Sequence, residues 1–223
     1  MHTLLVAACL AWCCVPLAHA VDLPSVAGGV RVPVTSMRGA QVRLTMLQQY
    51  DFSCGSAALA TLLTHQYGRR VSEADVFDAM YQDGDKDLIR RQGFSLLDMK
   101  HYLVRQGFAA DGFEQPLDQL FAARLPAIVL ISEKGYNHFV VIKGYRNGRI
   151  LLGDPASGTR AVSRAAFEAA WTSKLLFVIH SHAALARFDD PADWLAAPSA
   201  PMGAASSEQL RTLIQPRLGP GEF

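Results

Sequence analysis

Asn147-Gly148 lies between two strand-like runs, "HFVVIKGYR" before it and "RILLGDP" after it, and no other stretch narrows the fold of the chain as much. Asn-Gly supplies the two left-handed residues that a tight hairpin turn needs, so the flanking runs must pair as antiparallel strands. Strict two-residue pairing leaves Asp154, at the end of the second run, a few residues short of His138, at the start of the first. A bulge or added twist has to close that gap before the two side chains can meet.

The surrounding segments extend the pattern. "LPAIVLIS" is a continuous apolar run suited to the centre of a sheet. "GTRAVS" and "KLLFVIHS" read as further strands, with "RAAFEAAW" as a short helix between them. The N-terminal half has a different texture. A helix is expected from Cys54 to Tyr67, with Gly68 past its end. Ser72 with Asp75, and Ser95 with Asp98, have capping-box spacing ahead of a helix at about residues 73–82 and another at "LLDMKHYLVRQ", ended by Gly107. "DGDKD" reads as a polar loop and "PLDQLFAAR" as a short helix with Pro116 at its first position. "VRVPV" and "AQVRLTML" alternate as half-buried strands do. The class is α+β: a helical N-terminal half packed on a mostly antiparallel C-terminal sheet.

The 223 residues, half of them hydrophobic, are enough for one domain with a sizeable core. A net charge of +1 gives no electrostatic basis for binding nucleic acid, and no basic run is present. Residues 1–20 read as a signal peptide. "LLVAACLAWCCVPLAHA" is apolar and uncharged and ends in the small-x-small pattern Ala18-His19-Ala20, and its apolar run Leu4 to Ala11 is too short to span a bilayer comfortably. Export is therefore expected, with no membrane span in the mature chain. Residues 21–44 read as a lead-in with the first strands, 45–182 as the main domain, and 183–223 as an Ala/Pro-rich C-terminal extension with one helix at "SEQLRTLIQ".

Export changes the meaning of the cysteines. Cys9, Cys13 and Cys14 fall in the segment to be removed, which leaves Cys54 alone in an oxidising compartment. A disulfide within the mature chain is excluded, and a cysteine-based zinc site lacks its companions; no metal or cofactor is expected. An inert buried thiol and a nucleophile both remain open. A helix N-terminus, where Cys54 is expected, favours a thiolate.

A cysteine nucleophile needs a base, a group that orients the base, and donors for an oxyanion. His2 and His19 lie in the signal segment. His65 is eleven residues along the same helix, roughly 16 Å away at about 1.5 Å per residue. His101 sits on an amphipathic helix, and His180 and His182 end the last strand. His138 opens a strand directly after the loop "EKGYN" and is the candidate base. Asp154 alone would be an ordinary turn residue before proline; beside His138 and a lone Cys54 it becomes the candidate orienter. Gln48 and Gln49 precede Cys54 by six and five residues, and either can return an amide to an oxyanion, with the Cys54 N–H as second donor. Gly55 leaves room for a substrate carbonyl to approach the backbone.

In combination, "QQYDFSCGSAALATLL", "GFSLLDMKHYLVRQGF", "LPAIVLI", "NHFVVIKGY" and "LLGDPASGTRAVSRAAFEAAW" resemble the bacteriocin-processing, double-glycine-leader cysteine peptidases over roughly residues 45–180. The resemblance implies a papain-like fold. It also implies Cys54 as nucleophile, His138 as base, Asp154 as its orienter and Gln48, rather than Gln49, as oxyanion donor. Two features depart from the transporter-fused members: Ser53 stands where an acidic residue is common, and no transporter segment follows. A free-standing exported form resembles the peptidases that serve functional-amyloid secretion. The expected activity is a periplasmic cysteine endopeptidase acting on an exported polypeptide with small residues before the cut, with a secretion-system component as partner. The competing reading is a non-catalytic module of the same fold that holds an unfolded export substrate; the complete set of four side chains argues against it.

Overall fold

The computed structural model describes residues 36–133 and 135–197. In chain order its elements are α1 (Met37–Arg43), α2 (Cys54–Thr61), α3 (Glu73–Asp83), α4 (Lys86–Gln92), α5 (Leu96–Arg105), β1 (Ala110–Phe113), α6 (Leu117–Ala123), β2 (Ala127–Glu133), β3 (Tyr136–Arg146), β4 (Arg149–Asp154), β5 (Gly158–Ser163), α7 (Arg164–Ala170), β6 (Leu176–Ile179) and α8 (Pro191–Ala196). The six strands form one sheet in the order β1-β6-β2-β3-β4-β5, every neighbouring pair antiparallel. The fold is α+β and papain-like, as expected, but helices cover both faces of the sheet. Alternation sends Ile128, Phe139, Val141, Phe177 and Ile179 to the face packed by α2, α3 and α5. It sends Val129, Ile131, Val140, Ile142, Ile150, Leu152 and Val178 to the face packed by α6 and α7.

Local chemistry sets the helix starts. Ser72 and Ser95 each accept from the N–H three residues on, while Asp75 and Asp98 reach back to the serine backbone, so α3 and α5 both open with reciprocal capping boxes. Every residue of α2 is buried. Its alanines let it lie close against the sheet, and Leu59, set among them, is fully enclosed; truncating such a leucine to alanine costs about 2–5 kcal/mol.

Four segments differ from the sequence reading. The first helix does not run uniformly to Tyr67. After Thr61 it widens into a π-helical turn, Leu62–Gln66, closed by the Tyr67 N–H on the Leu62 carbonyl; Gly68 then follows at φ +70°. "DGDKD" is not only a loop: Asp85 accepts from the Asp87 and Leu88 N–H groups and starts α4. "AQVRLTML" is not a strand. Its first half belongs to α1, which lies on the outer strand β5, the Gln41 carbonyl filling the space where Gly158 lacks a Cβ. A run this short and this mixed fits either period. The strand β1, which pairs with β6, gave no sequence signal because "ADGF" is short and contains glycine. "VRVPV", the signal segment and "SEQLRTLIQ" lie outside the described residues. The C-terminal region, read as an extension from residue 183, is folded back on the domain as far as it is described, and α8 buries Asp193. No helix among the described residues is long and apolar enough to cross a membrane.

Candidate active site

The hairpin turn forms as the Asn-Gly pair requires, with Asn147 at φ 52° and Gly148 at φ 72°. Pairing runs regularly from Arg146 opposite Arg149 to Gly144 opposite Leu151, and then slips. Ile142 pairs with Leu152 and Val141 with Gly153, which leaves Lys143 as an extra residue in β3. Unslipped, the register would set Asp154 opposite Val141. The slip carries it on to Val140 instead. A one-residue shift reverses the face to which side chains point, so Asp154 turns to the face that Val140 shares with His138. His138 Nε2 lies 3.5 Å from Asp154 Oδ2. The bulge needed to close the gap is therefore at Lys143.

Asp154 is held from three sides. Its Oδ1 accepts from the Ala156 N–H at 2.8 Å and its Oδ2 from Arg160 Nε at 2.8 Å. Arg160 also donates through Nη2 to Glu133 Oε1 at 2.9 Å, so β2, β4 and β5 are joined across one face. Burial pushes the Asp154 carboxyl up, but the His138 imidazole, the Ala156 N–H and the Arg160 charge together hold it well below the usual carboxylate range. Asp154 is thus a fixed negative charge beside the imidazole at any pH the protein meets. His138 itself is only 5% exposed, and neither ring nitrogen has a hydrogen-bond partner among the described residues. The Tyr136 ring stacks beside it at 5.9 Å, and the Tyr136 hydroxyl donates to the Asp51 carbonyl at 2.7 Å. Tyr136 thus bridges from β3 to the loop ahead of Cys54.

Cys54 starts α2. The turn before it is closed by Ser53, whose N–H donates to the Tyr50 carbonyl and whose Oγ accepts the Tyr50 N–H. Pairing of β3 with β4 stops at Val141, so β3 overhangs its neighbour. The Phe139 N–H, one residue from His138 in that overhang, faces the cysteine sulfur and favours its anionic form. Burial pushes the Cys54 thiol up; the N–H groups of Phe139, Gly55 and Cys54 itself pull it down without cancelling the burial, and the Asp154 charge adds to the rise. The thiolate expected at a helix N-terminus is therefore not favoured in the unliganded protein, because α2 starts inside the core. A thiol here depends on a neighbouring base to lose its proton.

Gln48 and Gln49 point apart. The Gln48 side chain is half-buried and donates through Nε2 to the carbonyls of Tyr50 at 3.0 Å and Asp51 at 3.5 Å, while its Oε1 is buried without a partner. Its backbone N–H donates to the Pro155 carbonyl at 3.0 Å, which ties it to the residue after Asp154. Gln49 is exposed and lines a different depression with Met46, His65 and Glu73. Gly55 serves packing rather than substrate approach: a Cβ there would come within 2.9 Å of Met99 and 3.0 Å of Phe94. Of the remaining described histidines, His65 lies in the π-helical turn, His101 is exposed, His180 pairs with Asp111 and His182 with Ser181.

Cys54 opens into a cleft of about 430 Å³ between α4, α5 and the start of β3, lined by Leu88, Phe94, Leu97, Leu130, Asn137 and Phe139 among others. Arg160, Glu133 and Tyr136 were not legible in the sequence as parts of this site. Arg160 shares a face with Asp154 only once the β4–β5 register is known.

Fold and site together define a papain-like cysteine peptidase domain. Residues 44–183 match the peptidase C39 family, and the chain belongs to it. It is 40% identical over 146 residues to a probable functional amyloid protease, FapD, of Pseudomonas fluorescens; the match covers 66% of this chain and 65% of that protein. It is 37% identical over 164 residues to the probable functional amyloid protease FapD of Pseudomonas aeruginosa, with 73% of each chain covered. The peptidase domain of Streptococcus ComA, a bi-functional ABC transporter involved in a quorum-sensing pathway, superposes with a TM-score of 0.50. It is 24% identical and covers 61% of this chain and 98% of that domain, a likeness of fold.

Proposed function

We propose that this chain is a periplasmic cysteine endopeptidase that processes an exported polypeptide for a secretion system of the functional-amyloid type. The observation that carries the chemistry is the overhang of β3, which turns the Phe139 N–H towards the Cys54 sulfur next to His138 and sets Asp154 3.5 Å from the imidazole. In this reading His138 takes the Cys54 proton as the sulfur attacks the scissile carbonyl carbon. The oxyanion is received by the Cys54 N–H and by Gln48 Nε2, whose longer bond to the Asp51 carbonyl is the one it gives up. His138 then protonates the leaving amine as the C–N bond breaks, leaving a thioester on Cys54. A water that gives its proton to His138 attacks the thioester, releasing the new carboxyl terminus and restoring the thiol. Asp154, ionised throughout, keeps the imidazole oriented and stabilises its cationic form.

The Tyr136 bridge to the Asp51 carbonyl narrows the approach to Cys54, which favours small residues before the cut. The apolar cleft beside it suits a polypeptide segment with aliphatic side chains. The relatives' names supply the functional-amyloid context. The competing reading, an inert module that only holds an export substrate, draws on the burial of the thiol. Cys54→Ala separates the two. New N-termini on exported proteins should be present in wild-type cells and absent in Cys54→Ala cells, and identical N-termini in both would sink the peptidase reading.

A further inference from the structure

The bulge that aims Asp154 is gripped by residues that lie beyond the family match, which ends at residue 183. The β2 ladder stops at Ile142, so no strand pairs with Lys143–Arg146 on that side. Asp189 takes the place of one. Its N–H donates to the Lys143 carbonyl at 2.9 Å, and its Oδ1 accepts from the Tyr145 N–H at 2.9 Å. Asp189 sits at φ +66°, unusual for a residue with a side chain, and Trp194 Nε1 donates to the same Oδ1 at 3.0 Å. The strap lies so close that a Cβ on Gly144 would come within 2.5 Å of Asp189 Oδ1 and 3.1 Å of its Cα.

The bulge residue is held by its side chain as well. Lys143 is fully buried, pairs with Asp193 of α8, and donates to the Leu44 carbonyl at 2.7 Å. Gln66 Nε2 reaches the other Asp193 oxygen at 3.4 Å, and the Gln66 carbonyl accepts from the Arg187 N–H at 2.8 Å. One ammonium therefore joins the bulge, the segment that leads to Gln48, and the C-terminal strap. A buried ion pair of this kind adds little net stability, but losing one partner leaves a stranded charge. Its evident effect is to fix one arrangement of the backbone.

We propose that residues 186–197 are a positioning element of the peptidase, in which Asp189 and Asp193 clasp the Lys143 bulge and so hold the register that turns Asp154 towards His138. This rests on the reading of His138 and Asp154 as base and orienter. Loss of the bulge, or its slip away from the turn past Val141, would set Asp154 opposite Val141 and so on the face away from His138, without unfolding the sheet.

The test follows the rate at which iodoacetamide modifies Cys54 at pH 7, read by mass spectrometry of the Cys54 peptide from the full chain. Wild type is compared with Asp154→Ala, Asp189→Ala and Asp189→Asn, each well below its own melting temperature. Asp154→Ala and Asp189→Ala should both slow modification, by roughly tenfold or more, while Asp189→Asn keeps the acceptor oxygen and restores the wild-type rate. Should Asp189→Ala fail to fold, Asp193→Asn, which keeps the shape and loses the charge, should slow modification in the same way. A strap that only stabilises would lower the melting temperature and leave the rate alone. Wild-type rates in the strap variants beside a slow Asp154→Ala overturn this proposal by itself. A wild-type rate in Asp154→Ala overturns the reading of the His138–Asp154 pair and this proposal with it.

Discussion

The two edges of β3 are built differently. Against β2 the strand pairs without interruption from Glu133 opposite Tyr136 to Ala127 opposite Ile142. Against β4 it slips at Lys143 and stops at Val141. The regular edge is held by repeating backbone bonds and by apolar side chains on both faces, so its register is specified many times over. The irregular edge depends on one buried lysine and the two aspartates that hold it. The regular edge supplies stability. The irregular edge supplies aim, since both the Asp154 contact and the opening for Cys54 exist because the ladder with β4 is neither straight nor complete. Changes at the first should cost folding free energy, and changes at the second should cost rate.

The sharpest way to break that contrast is to remove the slip. Lys143→Val, together with Asp193→Asn so that no unpaired carboxylate stays buried, takes away the ammonium that holds the bulge; straight pairing then sets Asp154 opposite Val141, on the face away from His138. Substrate cleavage should fall by roughly 10³-fold or more, with circular dichroism showing the sheet retained. A folded double variant that still cleaves at the wild-type rate would end the argument from register.

A smaller effect is expected at Arg160. Its Nε is 2.8 Å from the Asp154 oxygen that faces His138 Nε2 at 3.5 Å. Arg160→Met removes the donor that fixes the Asp154 oxygen beside the imidazole, so His138 is less firmly oriented. The kcat for cleavage should fall by roughly tenfold, and Arg160→Lys should lower it less. A wild-type kcat in Arg160→Met would mean that Arg160 only braces the strands.

On the regular edge, Ile128→Val removes one methylene from a fully buried site in β2. It should cost about 1 kcal/mol, read as a lower denaturant midpoint with kcat unchanged. A loss of kcat there would blur the distinction between the two edges.

The smallest effect concerns pH and folding. Burial, then the charges of Lys143 and Arg187, lower His65 from its ordinary 6.5 to about 4. The unfolded chain then binds this proton more readily than the folded one, so the contribution of His65 is complete above about 6.5 and is lost as pH falls towards 4. Urea midpoints at pH 7 and pH 4.5 should differ more for wild type than for His65→Gln. Equal differences would remove His65 as a source of acid sensitivity.

The same contrast explains what could be read from the sequence. The Asn147-Gly148 turn, the Ser72 and Ser95 capping boxes, and the strands at β2 and β5 are local signals, and the structure contains each where the residues place it. The need for a bulge between His138 and Asp154 was also legible, from counting outward from the turn. Its position was not, because Lys143 is marked as the extra residue only by partners that follow it by nearly fifty positions. Arg160 was hidden for a related reason, since a long side chain acting across three strands leaves no mark in nearby sequence. The π-helical turn and α4 were missed because an apolar run and a charged run fit more than one local conformation.

The chain order of the clasp has a consequence in time. Asp189 and Asp193 follow the sheet they hold, so during synthesis or translocation the strands of β3 and β4 emerge before anything can fix their slip. Until the strap arrives, Lys143 has neither its carboxylate nor a partner for its carbonyl, and Asp154 has no enforced direction. A growing chain of this kind passes its vulnerable, half-folded stage with its cutting chemistry unassembled. Among the described residues, the last segment to pack against the sheet is also the one that arms it.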